Sequence, residues 1–90
     1  MDVGAHITVR GVVQNVGFRY FVFTCATRVG VHGTVRNKFD GSVEIDVEGD
    51  RSLIEELINQ IKIGPRASRV VDIAIDWKQP DYKFKNFEIW

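Results

Sequence analysis

Hydrophobic positions change period along this chain, and each change marks an element boundary. Across residues 6–13 (HITVRGVV), Ile7 and Val9 alternate with Thr8 and Arg10, the two-residue period of a strand with one buried face. From Phe18 the period lengthens. Phe18, Phe21, Val22, Cys25, Ala26 and Val29 recur at i, i+3, i+4 and i+7 and line one face of a helix. Gly30 is placed to end that helix in a left-handed turn. Residues 33–37 read as a short strand. The Asp40-Gly41 pair that follows is a tight-turn signal, because both residues tolerate positive φ. Residues 43–48 (VEIDVE) then alternate strictly, Val43, Ile45 and Val47 inward and Glu44, Asp46 and Glu48 outward. These two strands are expected to form a hairpin, with the acidic row as its solvated face.

Gly49-Asp50 breaks the pattern and introduces a second helix. Asp50 or Ser52 caps it; Ser52 and Glu55 have capping-box spacing, so the first residue stays open between them. Leu53, Ile54, Leu57, Ile58 and Ile61 form its buried stripe, and Gly64-Pro65 stops it. Residues 69–77 (RVVDIAIDW) alternate again, with Val71, Ile73 and Ile75 expected inward. After a turn at Gln79-Pro80-Asp81, Phe87 and Ile89 mark a short edge strand. The order is β-α-β-β-α-β with one terminal strand added. Right-handed crossovers then give an α+β fold, the ferredoxin-like split βαβ sandwich: an antiparallel sheet with both helices on one face. Residues 1–90 are expected to form one domain. This superfold serves enzymes, RNA binders and small-molecule regulators alike, so it does not fix function.

Composition narrows the classes. Hydrophobic residues make up 44% of 90 residues, too many for a disordered chain. Twelve basic residues balance twelve acidic ones, which removes any net pull toward nucleic acid or a membrane surface. An anion site must therefore be local. The single Cys25 has no partner for an intramolecular disulfide, which fits a reducing, cytoplasmic setting. On the apolar stripe of the first helix it reads as a small buried hydrophobe. His6 and His32 lack ligand-spaced partners, so no metal site is assigned. The opening residues carry no secretory pattern, and no apolar stretch approaches the roughly 18 residues of a spanning helix. Trp77 and Trp90 are expected to pack across the open face of the sheet.

The corner between the first strand and first helix carries the chemistry. Its residues 11–19 read GVVQNVGFR. A helix N-terminus presents unpaired N–H groups and partial positive charge, and successive loop amides can form a concave nest for phosphate oxygens. Arg19 at the helix entrance would close such a site with a bidentate guanidinium, and Gly17 allows unusual φ or close backbone approach. An ordinary strand–helix corner with a solvent-facing Arg has the same spacing. Likewise Asn37 alone reads as a strand-end residue feeding a turn.

Three segments together resemble the acylphosphatase family, whose signature is G-x-V-Q-G-V-x-F-R, then G-x-V-x-N, then D-G-x-V-E. Here they are Gly11-Val12-Val13-Gln14-Asn15-Val16-Gly17-Phe18-Arg19, Gly33-Thr34-Val35-Arg36-Asn37 and Asp40-Gly41-Ser42-Val43-Glu44. Gly49 and the segment from Gly64 to Val70 also look like the family. The resemblance implies the same ferredoxin-like fold and hydrolysis of the carboxyl–phosphate bond of small acyl phosphates, without metal or cofactor. It implies that the amides of Asn15, Val16, Gly17, Phe18 and Arg19, with the Arg19 guanidinium, hold the phosphate. Asn37 would orient the attacking water. A larger maturation protein can carry such a segment at its N-terminus; a free-standing, monomeric enzyme is the expectation here.

Two positions depart from the family pattern. Asn15 stands where Gly is usual, and if φ is positive there, Asn is the least damaging replacement. Its side chain motivates the alternative of a catalytically weak module that binds a phosphorylated ligand. Thr34 replaces a common aromatic residue and is expected to alter packing around substrate. RNA binding, which uses this topology with aromatic and basic residues on the central strands, is disfavoured by Glu44, Asp46 and Glu48.

Overall fold

The computed structural model describes residues 1–90. Strict alternation makes the two central strands, β1 (Asp2–Val12) and β3 (Val43–Asp50), which pair antiparallel from Asp2↔Asp50 to Val9↔Val43. Ala5, Ile7 and Val9 on β1 and Val43, Ile45 and Val47 on β3 are fully buried on the same side. The helical stripes of α1 (Phe18–Val29) and α2 (Arg51–Ile63) close over that side, burying Phe18, Val22, Cys25, Ile54, Leu57 and Ile61 in one core. β2 (His32–Asn37) flanks β3, and β4 (Arg69–Lys78) flanks β1. With β5 (Phe87–Ile89) the order is β4-β1-β3-β2-β5. Each βαβ half skips one strand, and the halves interleave as a ferredoxin-like sandwich.

The sheet is mixed, not wholly antiparallel as expected. β5 runs parallel to β2, with Gly33↔Phe87 and Val35↔Ile89 in register. β4 and β5 occupy opposite edges, so residues 79–86 cross the face of the sheet that carries no helix. The side chain of Glu48 accepts from the backbone N–H groups of Asp81 and Tyr82 in that crossing. This buries Glu48, against its expected exposure. Glu44 and Asp46 are half-buried as well. Glu44 pairs with Arg36 and with His6 Nε2 at 2.8 Å. Asp46 Oδ1 lies 2.9 Å from Lys78 Nζ, a charge contact whose angle falls short of a hydrogen bond. The acidic row is thus an ion-paired layer, not a freely solvated one.

Other boundaries move for tertiary reasons. β1 begins at Asp2 because β3 extends to meet it there. Asp50 caps α2, its carboxylate accepting from the Ser52 N–H at 2.9 Å, and the Ser52–Glu55 alternative is unused. The register of β1 against β4 shifts between Arg10 and Gly11, pairing Arg10 with Asp72 but Gly11 with Val70. Val71 is the extra residue of this bulge and turns outward, 70% exposed, while Val70 packs against the core. A Cβ on Gly11, whose φ is 133°, would stand 2.0 Å from the Arg69 carbonyl oxygen, so the two strands approach closely here. Trp77 packs on the helix side, with the Arg51 guanidinium 4.2 Å from its ring centre. Trp90 does lie by the open face, where its indole N–H donates to Glu88 at 3.1 Å. No helix is long and apolar enough to cross a membrane.

Candidate active site

The chain leaves β1 and must reverse within five residues to start α1. Two left-handed residues accomplish this, Asn15 at φ 62° and Gly17 at φ 77°. Gly17 is the N-cap, and no side chain caps the helix. The first helical bond runs from the Phe21 N–H to the Gly17 carbonyl at 3.0 Å. The amides of Phe18, Arg19 and Tyr20 precede that bond and have no intrahelical acceptor, the arrangement that favours an anion. Nothing lies within 4 Å of where a Gly17 Cβ would stand, so this side of the loop is open.

A cavity of about 200 Å³ opens on the helix start, and Asn15, Gly17, Phe18, Arg19 and Asn37 all line it. At ~30 Å³ per water molecule, it has room for a phosphoryl group and a water. Four of the five loop residues expected to hold phosphate therefore face one space with Asn37. Val16 does not line it; its side chain packs against the core. Thr34 is also elsewhere, buried beside the open-face depression. Its difference from the family is not at this cavity, because β2 turns successive side chains to opposite faces.

Arg19 and Asn37 are held differently. Arg19 Nη1 donates to the backbone oxygen of Trp90 at 2.9 Å, and no Asp or Glu side chain pairs with it. One arm of the guanidinium is thus fixed while the rest of its fork keeps its donors. Asn37 ends β2, and its Oδ1 is buried without any hydrogen-bond partner. A buried acceptor without a partner is uncommon and costly. The Asn37 residue itself lines the cavity.

The β2–β3 hairpin behind Asn37 is tied by several hydrogen bonds. Asp40 Oδ1 accepts from the Ser42 N–H at 2.9 Å and from the Ser42 hydroxyl at 2.6 Å. These bonds, the hydroxyl first, hold the Asp40 carboxyl below its usual pKa. The Lys38 N–H closes the turn on the Ser42 carbonyl at 2.9 Å. Gln14, to which the sequence assigned no role, reaches this turn from the loop. Its Nε2 donates to the carbonyls of Lys38 and Ser42 at 2.7 and 2.9 Å. The available sequence signal was a primary amide at the end of an apolar strand. Cys25 is buried, and that burial raises its thiol pKa against the lowering effect of Arg28. No three His, Cys, Asp or Glu side chains cluster as metal ligands would.

A larger depression, about 570 Å³, lies on the open face of the sheet. It is lined by Arg36, Glu44 and Asp46, which already neutralise charges within the sheet. It has no helix start, and its own buried unpartnered acceptor, Asp46 Oδ1, faces the Lys78 ammonium, so the smaller cavity is the candidate site.

Comparison with known proteins places this chain in a family of hydrolases. The sequence pattern of the acylphosphatase family matches residues 5–89. An acylphosphatase of Bifidobacterium longum (strain NCC 2705) is 51% identical over 73 residues, covering 81% of this chain and 75% of that protein. One from Caldanaerobacter subterraneus subsp. tengcongensis is 42% identical across 100% of both chains. The crystal structure of acylphosphatase from Bacillus subtilis superposes with a TM-score of 0.95 at 35% identity, covering 98% of each chain. The chain belongs to the acylphosphatase family.

Proposed function

We propose that the protein hydrolyses the carboxyl–phosphate bond of small acyl phosphates, with the phosphoryl group on the loop amides of residues 15–19 and the Arg19 guanidinium. Asn37 Oδ1 accepts a hydrogen bond from the attacking water. The observation that carries this reading is that Asn37, whose buried Oδ1 has no hydrogen-bond partner, lines the same cavity as Arg19 and the helix start.

The chemistry needs little more. The leaving group is a carboxylate whose conjugate acid has a pKa near ~4, so it departs without a general acid. Phosphoryl transfer through a loose transition state asks for positioning and charge stabilisation above all. The water oxygen bonds to phosphorus as the bond to the carboxylate oxygen breaks, and the water proton passes to a non-bridging phosphoryl oxygen. Asn37 cannot take that proton; it holds the water in line. Arg19 and the amides stabilise the equatorial oxygens, where preorganised donors act most strongly. The balanced charge and the lone buried thiol support a monomeric enzyme of the cytoplasm that works on small molecules.

Hydrolysis of benzoyl phosphate by the wild type, Arg19→Gln and Asn37→Ala tests this assignment. Arg19→Gln is expected to lose phosphate affinity and turnover together, and Asn37→Ala to lose turnover while inorganic phosphate still inhibits. Phosphate binding by the wild type without hydrolysis above buffer would favour the weak binding module instead.

A further inference from the structure

We propose that Gln14 is a positioning residue for hydrolysis: its amide ties the phosphate loop to the hairpin that carries Asn37. The inference rests on the role given to Asn37 above and extends it to the group that sets where Asn37 stands.

Gln14 immediately precedes the left-handed Asn15, and Lys38 immediately follows Asn37. The two hydrogen bonds from Gln14 Nε2 therefore join the segments one residue away from each half of the site. Both acceptors are carbonyls, so the side chain must present nitrogen; with Oε1 in that place three acceptors would face each other. The joined carbonyls also belong to the residues whose own N–H to O bond closes the hairpin. One half-buried amide thus spans loop and turn, which are 24 and 28 residues apart along the chain. Loop closure itself does not need Gln14, because the left-handed residues and the helix start build the anion nest from backbone. The latch fixes the distance between that nest and the water-holding oxygen, and a misplacement of about 1 Å at such a site can cost ~10²-fold in rate.

Three variants test the latch by steady-state hydrolysis of benzoyl phosphate, with inorganic phosphate as inhibitor. Gln14→Met keeps length and removes both donors; kcat is expected to fall about tenfold or more, with phosphate inhibition changed far less. In an Asn37→Ala background, the same substitution should cost less than about twofold, since the oxygen it positions is gone. Gln14→Glu adds a pH readout that loss of folding would not give. Its ionised carboxylate faces two carbonyls and breaks the latch, whereas its protonated form restores one donor. Activity relative to wild type at each pH should therefore rise as pH falls. Unchanged kcat in Gln14→Met, an equal loss in both backgrounds, or a flat Gln14→Glu ratio overturns the latch alone. Near-normal turnover in Asn37→Ala overturns the water-holding role and the latch with it.

Discussion

Asn15 and Gly17 both occupy the left-handed region, at φ 62° and 77°, two residues apart in the loop that opens α1. The family's usual Gly at the first position thus meets a conformation that only Gly, Asn and Asp visit at low cost. Asn15 is exposed at the cavity rim. Asn15→Gly should leave kcat/KM equal or higher and barely move the melting temperature. Asn15→Val should destabilise the protein by about 1–2 kcal/mol, because a β-branched residue is strained there. A large drop in kcat/KM for Asn15→Gly would give the Asn side chain a positive role in binding.

Arg19 is the cavity's one guanidinium; it is anchored on the Trp90 backbone oxygen, and no Asp or Glu side chain pairs with it. The remaining donors of its fork are therefore left for the substrate. Arg19→Gln should lower kcat by about 10²–10³-fold, the usual loss when one preorganised transition-state donor is removed. Arg19→Lys should recover only part of it, since an ammonium keeps the charge but not the planar fork. Both variants should unfold at urea concentrations close to wild type, as the side chain contributes nothing to the core. Full activity in Arg19→Lys would show that charge alone suffices.

The unpartnered Asn37 Oδ1 has a consequence for stability as well as rate. An unsatisfied buried acceptor costs ~1–3 kcal/mol, so its removal relieves the fold while harming catalysis. Asn37→Ala should melt at the same temperature or higher, with turnover reduced about 10²-fold. Calorimetry beside the hydrolysis assay checks this. A clear fall in melting temperature would make Asn37 a structural residue of the hairpin.

Periodicity carried the helices, the β2–β3 hairpin and the interleaved halves, because those elements bury one face and their side chains say which. It misplaced what depends on a partner strand or a distant crossing. Glu48 keeps the alternation of β3 yet is buried, since residues 79–86 return over it. Val71 keeps the parity of Ile73 and Ile75 yet points outward, because a bulge opposite Arg10 and Gly11 inserts it. The candidate site was legible as a motif at Arg19 and Asn37, but the Gln14 contacts were not, since they join segments distant in sequence. The bulge gives its own test. Val71→Lys should change stability by less than about 0.5 kcal/mol, whereas Val70→Lys should cost more than about 1 kcal/mol. Urea midpoints in the reverse order would place Val71 inward.

Acid should loosen the fold as the lowered carboxyls of Asp50, Glu44 and Asp40 are protonated, and the first two can be separated. Asp50 is held at about 2, against a usual 3.8, chiefly by the Ser52 hydroxyl and next by the Met1 amine. Glu44 is held below its usual 4.5, chiefly by Arg36, with His6 assisting against partial burial. A carboxylate with a lowered folded pKa binds fewer protons folded than unfolded, so its stabilisation is full above the unfolded pKa. It is then lost as pH falls through the folded value. For Glu44 the loss begins near 4.5; for Asp50 it runs from 3.8 down to about 2. Asn caps a helix nearly as well as Asp, so Asp50→Asn keeps the cap of α2 while removing its titration and its ion pair with the Met1 amine. Melting temperatures between pH 6 and 2 should fall for wild type, and the low end of that fall should flatten in Asp50→Asn. Glu44→Gln should lower stability near neutrality, by breaking the pairs with Arg36 and His6, and flatten the upper end. An unaltered acid slope in the double variant would assign acid sensitivity to other carboxylates.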